Sequence, residues 1–394
     1  MRRVRSASVV AVALVLVATV WSPVSASVRH PIGTKGLWWG EIEGVAVDVR
    51  GDVYVTGSEG RHEHMIVRRY SRGGELMWER TFRQQGEDRW TRGRDVAVAT
   101  DGTVYVAGIL TTPKVQGEGP HEIATFLRAY GPAGVLRWQR VYTIKDYWDP
   151  VPNAVAAGPG FVVMTGYTSC FECVEHEGWV RAWNPRGRLL WVDDFEFAGI
   201  DVAKRDMPND VAVDRDGSIY VVGVVDRLEN DYGGTAPSDS EVVIRRMTSA
   251  GGTVWTRVLS DRSKDSDLAT SVAVRDGRVV VGALFGGGWG GRESPHPWVR
   301  VYSVHGRATW TRVWPGGQWH EDLAVVIGAT GRVYAAWSSS VGVRVKALTA
   351  HGWLLWTSAL DAEGSVDAVV SDGLLRLAAD GPTCCHAKLY TYRA

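Results

Sequence analysis

Four cysteines have the most chemically suggestive spacing in this chain of 394 residues. Cys170-Phe-Glu-Cys173-Val-Glu-His176 places two thiols and an imidazole in one short run, and C-x2-C is the spacing that delivers two thiolates to one metal. Zinc needs a fourth ligand, and none is recognisable beside these three. Cys384 and Cys385 are adjacent, so that pair closes on itself only as a vicinal disulfide. His62 and His64 flank Glu63 as an H-x-H pair without a recognisable third ligand. Asp214-Arg-Asp216-Gly217-Ser218 begins like a calcium loop but lacks the downstream glutamate. Each reads more simply as a local disulfide, a surface histidine pair or a hairpin turn. There is no G-x-S-x-G, H-E-x-x-H or phosphate loop. The sequence therefore assigns no catalytic residue, no metal and no cofactor.

Residues 1–26 read as a secretory signal. Arg2, Arg3 and Arg5 form a basic start, Val9–Val20 an apolar run, and Val24-Ser25-Ala26 a small-residue cleavage site. The apolar run is too short to span a bilayer comfortably, so a secreted chain beginning at Ser27 is expected, with no membrane insertion. In that compartment Cys170, Cys173, Cys384 and Cys385 are expected to be oxidised. The 44 basic and 44 acidic side chains cancel, which removes nucleic acid as a default partner. A monomer is expected.

The elements that must position any site come from an internal repeat. The phrase DVAVDRDGSIYVVG at 210–223 recurs at 44–57 (GVAVDVRGDVYVTG), 95–108, 153–166, 271–282, 324–337 and 367–378. Two β-branched runs around a Gly turn predict an antiparallel hairpin, strands A and B. A second phrase follows each, with a basic residue at Arg68, Arg128, Arg181, Arg245, Arg300, Lys346 and Lys388. In six of the seven units a Gly turn then leads to Trp78, Trp138, Trp191, Trp255, Trp310 or Trp356. These are strands C and D. The Trp position is read as wedge filler between blades, the basic residue as part of the blade plan, and Asp95, Asn153 and Asp210 as ties for backbone amides.

The seventh unit stops after strand C, while Gly36-Leu37-Trp38-Trp39 carries an orphan strand-D signature before the first strand A. The expected architecture is all-β: one seven-bladed β-propeller over 27–394, with four-stranded antiparallel blades of about 53 residues. An N-terminal strand at Leu37–Gly40 would close the ring. Blades 3 and 7 then hold the two cysteine pairs in distant loops, so pairing is expected to be local.

These phrases resemble the secreted bacterial β-propeller repeats called SBBP repeats, and more loosely NHL and PQQ-like repeats. The resemblance implies the fold and leaves function open, because such propellers serve as binding scaffolds, assembly factors, lyases and quinoprotein dehydrogenases. The vicinal cysteines resemble the pair above the cofactor of quinoprotein alcohol dehydrogenases. Those enzymes, however, resemble longer eight-bladed propellers with a calcium-bound quinone.

The A–B and C–D connections are short, whereas the B–C and D–A connections are long and share one rim. Long loops on a rigid scaffold are where binding usually sits. This rim carries Trp90, Tyr147, Trp148, Trp289 and Trp319, the expected anchors for an extracellular protein or carbohydrate. The competing expectation is a rim-site lyase or hydrolase, for which His320, Glu321, Asp149, Arg205 and His176 would have to converge.

Overall fold

The Gly turns of the repeat fold as their chemistry dictates. In the commonest form, as at 48–52, Asp48 N–H donates to Asp52 O at 3.0 Å and Gly51, at φ 83°, donates back to Asp48 O at 3.0 Å. Blades 5 and 7 instead use tight Asp-Gly turns, with Asp276 and Asp372 both at φ 48°. That is the two-residue hairpin that Asp-Gly favours, and it accounts for their shorter phrases.

The computed structural model describes residues 27–31, 33–60, 64–84, 89–111, 123–143, 148–170, 176–194, 204–227, 239–259, 267–286, 295–315, 322–339, 341–380 and 386–394. These residues form seven blades of four antiparallel strands. After β1 (Ser27–Val28), β2 (Gly33–Val47) leads into blade 1 with β3 (Val53–Glu59), β4 (His64–Tyr70) and β5 (Leu76–Phe82). Blade 2 is β6 (Thr91–Val98), β7 (Val104–Thr111), β8 (Ile123–Tyr130) and β9 (Leu136–Tyr142). Blade 3 is β10 (Trp148–Gly158), β11 (Phe161–Cys170), β12 (His176–Trp183) and β13 (Leu189–Asp194). Blade 4 is β14 (Lys204–Val213), β15 (Ile219–Arg227), β16 (Asp239–Met247) and β17 (Thr253–Leu259). Blade 5 is β18 (Leu268–Arg275), β19 (Arg278–Phe285), β20 (His296–Ser303) and β21 (Ala308–Val313). Blade 6 is β22 (Leu323–Ile327), β23 (Val333–Trp337), β24 (Val343–Leu348) and β25 (Leu354–Leu360). Blade 7 is β26 (Glu363–Ser371), β27 (Leu374–Asp380) and β28 (His386–Arg393), completed by the start of β2.

The ring closes through the N-terminus, along a strand that starts before the Leu-x-Trp signature and pairs again at Trp39 and Gly40 within it. Gly33–Gly36 forms the continuous ladder with β28, from Gly33 opposite Thr391 to Gly36 opposite Lys388. The register shifts after Gly36 and again at Trp39/Gly40, both of which lie opposite His386, and the chain crosses from blade 7 to blade 1 at Gly40, which also lies opposite Glu59. The closing strand therefore begins four residues earlier than the pattern suggests. Its pairing is made by backbone groups in a Gly-rich segment that has no hydrophobic period to reveal it.

The core lies between blades. Tyr54 and Val67 of blade 1 are buried with Val96, Val106 and Phe126 of blade 2, and Tyr220 and Ile244 of blade 4 with Val281 and Trp298 of blade 5. Each fully buried Val or Ile contributes roughly 1.5–3 kcal/mol. The outer junctions use a repeated device. Trp78, Trp138, Trp191, Trp255 and Trp310 donate their indole N–H to Pro132, Pro185, Ser249, Val304 and Ala350 of the following blade, at 2.8–3.0 Å. Two residues after four of these Trp, the guanidinium of Arg80, Arg140, Arg257 or Arg312 bonds the carbonyl of the left-handed turn glycine in the same neighbour. Trp356 is buried and stacks on Tyr392 of blade 7 at 5.5 Å. The strand-C cations also face the junctions: Arg128 lies 3.9 Å from the Phe82 ring, and Arg245 pairs with Asp193 at 3.5 Å.

Candidate functional site

The long connections share one face, where strands B and D end and strands A and C begin. At that end of blade 3, Trp148 lies opposite Cys170, and Asp149 opposite Ser169. Ser169 in turn lies opposite His176. A parallel bridge carries the row into blade 4 by pairing His176 with Arg205. Asp149, Ser169, His176 and Arg205 thus occupy one register row across four strands, with Trp148 and Cys170 one step further towards the loops. Asp149, His176 and Arg205 share this row by backbone register, spread over strands of two blades. His320 and Glu321 lie outside the described residues.

Of the expected anchors, Trp90 is half-buried just before β6. Its N–H reaches Thr111 Oγ1 at 3.2 Å and its carbonyl accepts from the Thr111 N–H at 3.2 Å, which fixes that corner of blade 2. Trp148 opens β10. Tyr147, Trp289 and Trp319 lie outside the described residues, as do Cys173, Cys384, Cys385 and His62. Cys170 closes β11. The Asp214–Ser218 segment is a hairpin turn: Ser218 N–H donates to Asp216 Oδ1 at 2.8 Å, and the Ser218 hydroxyl to Oδ2 at 3.0 Å. Among the described residues, no three His, Cys, Asp or Glu gather as a metal site.

Below this face, the axis is lined by strand A. Its register shifts at Ile42/Gly44, Gly93/Asp95, Pro152/Ala154, Pro208/Asp210 and Ala269/Ser271. The last glycine of the repeat phrase sits against this bulge: a Cβ on Gly57, Gly166 or Gly223 would collide with the carbonyl of Glu41, Val151 or Met207. The bulge sends the next side chain to the neighbouring blade. Asp95 accepts the Val96 N–H with one oxygen and the Val155 N–H of blade 3 with the other, both at 2.7 Å. Asp210 does the same for Val211 and Val272, and Asp367 for Ala368 and Val45 across the ring closure. Asn153 reaches Pro208 O at 2.9 Å, Thr270 reaches Leu323 O at 2.7 Å, and Asp322 accepts from Val366 at 3.3 Å. Between blades 1 and 2, where Gly44 has no side chain to offer, Arg94 pairs with Glu43 at 3.4 Å. All seven junctions are therefore clasped at the axis.

Four carboxyls in this ring titrate high. Burial raises Asp95 well above the ordinary carboxylate value, and the charge of Asp367 adds to the effect. Burial pushes Asp210 and Asp322 up to about 7 and Asp367 up to about 6, against the lowering effect of the amides each one accepts. Each of the four residues keeps part of its surface exposed. At the mouth on the long-loop side, Glu43 is also raised by burial although Arg94 and Arg92 oppose it. Perturbed carboxyls of this kind mark catalytic sites when they are free to move protons. Here Asp95, Asp210 and Asp367 each hold two strand amides, one of them from the adjoining blade.

The expected amide ties at Asp95, Asn153 and Asp210 are thus present in part as read. The Asp pair bind amides, whereas Asn153 donates to a carbonyl. Their reach across blades has no signature in the repeat phrase, whereas the Arg two residues after the Trp has one. The spacing Trp-x-Arg at Trp78, Trp138, Trp255 and Trp310 was the available signal.

No family model matches the chain, and no curated protein matches it. Among solved structures, Drosophila Plexin A in complex with Semaphorin 1b is 10% identical, with 93% of this chain and 88% of that chain covered and a TM-score of 0.50. Hadza microbial sialidase Hz136 is 13% identical over 90% of this chain and 66% of that chain, at a TM-score of 0.48. A Bacteroides caccae protein of unknown function is 13% identical over 78% of this chain and 93% of that chain, at 0.43. At these identities the likeness is one of fold: the chain is similar to other β-propellers, and the finer resemblance to one repeat type gains nothing from it.

Proposed function

We propose that the protein is a secreted, non-enzymatic binding scaffold that recognises an extracellular protein or glycan on its long-loop face. The observation that carries this reading is the row Asp149, Ser169, His176 and Arg205, with Trp148 beside it, at the loop end of blades 3 and 4. Aromatic, anionic, hydroxyl and cationic residues gathered at one end of two neighbouring blades suit stacking on a sugar or gripping a polar loop. The axial clasps support binding over catalysis, because the high-titrating carboxyls are engaged in holding blades together. The sequence features of residues 1–26 support export.

The test is a glycan and secreted-protein array probed with residues 27–394, wild type and Trp148→Ala. A ligand held by the wild type and lost at least about tenfold in affinity by the variant, a change of about 1.4 kcal/mol, is the expected result. Undiminished binding after Trp90, Trp148, Trp289 and Trp319 are all replaced by Ala would move the site off this face.

A further inference from the structure

Strand D of blades 4, 5 and 6 carries the same dipeptide: Trp255-Thr256, Trp310-Thr311 and Trp356-Thr357. Each stands in the same register against its strand C, with Thr256, Thr311 and Thr357 opposite Arg245, Arg300 and Lys346. On blade 6 the outer edge of this dipeptide is occupied by the chain itself. Ser27 and Val28 lie parallel to β25, opposite Trp356 and Thr357. The Arg29 N–H donates to Thr357 O at 2.8 Å, and its guanidinium lies 5.3 Å from the Trp356 ring centroid. Blade 6 is thereby five-stranded.

On blades 4 and 5, among the described residues, no strand pairs with the outer edge of β17 or β21. Their sequences, TVWTRVL and ATWTRV, contain no Pro, Gly, Lys or acidic residue; each carries one Arg and a bulge at Val254 or Thr309, and β25 has the same bulge at Leu355 and still accepts β1. Val254, Val258 and Val313 are 48%, 45% and 54% exposed on them. β-branched residues displayed on a free edge favour pairing with a further strand.

The position after the dipeptide differs in charge, and it bears on the choice of occupant. Blade 6 has Ser358 where blades 4 and 5 have Arg257 and Arg312, and on blade 6 the docked Arg29 brings the cation that its own strand lacks. Arg257 and Arg312 lie 5.4 and 5.9 Å from their Trp rings. Among the described residues they bond only carbonyl oxygens: Gly306 and Thr256 for the first, Gly352 and Thr311 for the second. An incoming strand therefore meets a cation where β1 supplies one.

We infer that the outer edges of blades 4 and 5 dock an extended segment of a partner protein, added parallel as a fifth strand. Small or β-branched residues of that segment lie along Trp-Thr, and a carboxylate follows to face Arg257 or Arg312. Backbone pairing supplies the affinity and the carboxylate the selectivity. A second copy of this chain is the poorer occupant, since its own free edges would bring Arg against Arg. This surface is separate from the long-loop face, so its test stands whatever the array shows.

The probe is a fluorescein-labelled peptide, Ser-Val-Glu-Val-Ser-Val-Glu, with a counterpart carrying Lys for Glu. Saturable anisotropy below about 1 mM is expected for the Glu peptide, with at least about tenfold weaker binding of the Lys peptide. Hydrogen exchange of the unaltered protein is expected to slow in β17 and β21 when the Glu peptide is added. The double variant Arg257→Glu with Arg312→Glu should reverse the preference. Equal binding of both peptides, or unchanged exchange in both strands at about 1 mM peptide, overturns the proposal. Self-association of the chain through these edges in sedimentation equilibrium, abolished by the double variant, would overturn the choice of occupant.

Discussion

Asp210 shows what one side chain does in this ring. Its two oxygens accept the Val211 and Val272 amides at 2.7 Å each, joining blade 4 to blade 5. Asp210→Ala leaves both donors without that acceptor and should cost about 1–3 kcal/mol, read as a lower urea midpoint. The carboxyl also fixes a pH dependence. Its folded value of about 7, like about 7 for Asp322 and about 6 for Asp367, lies above the usual 3.8. The folded state therefore holds these protons more tightly than the unfolded chain. The resulting stability is full below about pH 4 and is lost as pH rises through about 6–7. Asp216 works the other way: the Ser218 amide lowers it, so its contribution disappears as pH falls below the usual carboxylate range. The thermal midpoint should thus decline between about pH 5 and about pH 8, and Asp210→Ala should flatten that decline. An equal slope in wild type and variant would show that Asp210 does not titrate in this window.

At the scale of the strand and turn, the Trp of one blade and the turn glycine of the next form a unit. Trp138 donates its indole N–H to Pro185 O at 2.8 Å, and Gly187, at φ 77°, lies beneath its ring. A Cβ on Gly187 would stand 2.7 Å from Trp138 Cδ2. Trp138→Phe should cost about 1 kcal/mol for the lost bond. Gly187→Ala should cost about 1–3 kcal/mol, from left-handed backbone strain together with the collision. In the double variant the smaller ring relieves the collision, so the costs should sum to less than the two single values in urea denaturation; strict additivity would show that the two groups do not meet. Turns, hairpins and the Trp position were legible in sequence because they recur with the blade. The closing ladder at Gly33–Gly36 was not, because its pairing rests on backbone groups and Leu37-Trp38-Trp39 carries the more conspicuous pattern. The row through Asp149, Ser169, His176 and Arg205 was equally hidden. It arises from the register of β10, β11, β12 and β14, while the loops between them do not repeat.

For the molecule as a whole, the consequence of clasping every junction is that no blade has an independent boundary. The core clusters are shared between neighbours, so removing one blade's contacts exposes the apolar face of the next. The N-terminal segment is what turns an array of blades into a closed ring. β1 adds to blade 6, Arg29 reaches Arg393 O of blade 7 at 3.0 Å, and Gly33–Gly36 completes blade 7 before β2 continues as the first strand of blade 1. Lys35 bonds Gly74 O and lies 4.6 Å from the Tyr70 ring centroid, so the closing strand is also tied to the C–D turn of blade 1. Deleting residues 27–41 from the 27–394 chain should leave β28 as an open edge and strip Val45 and its neighbours of the cover that joins blade 7 to blade 1. A closed ring unfolds in one step because all junctions fail together, whereas an open one can fray from its two ends. The truncated chain should therefore show a lower urea midpoint, a shallower transition and faster hydrogen exchange in β26–β28 and β3–β5 than in blades 3 and 4. If it instead unfolds with the midpoint and slope of the 27–394 chain, the ring does not depend on its N-terminal closure.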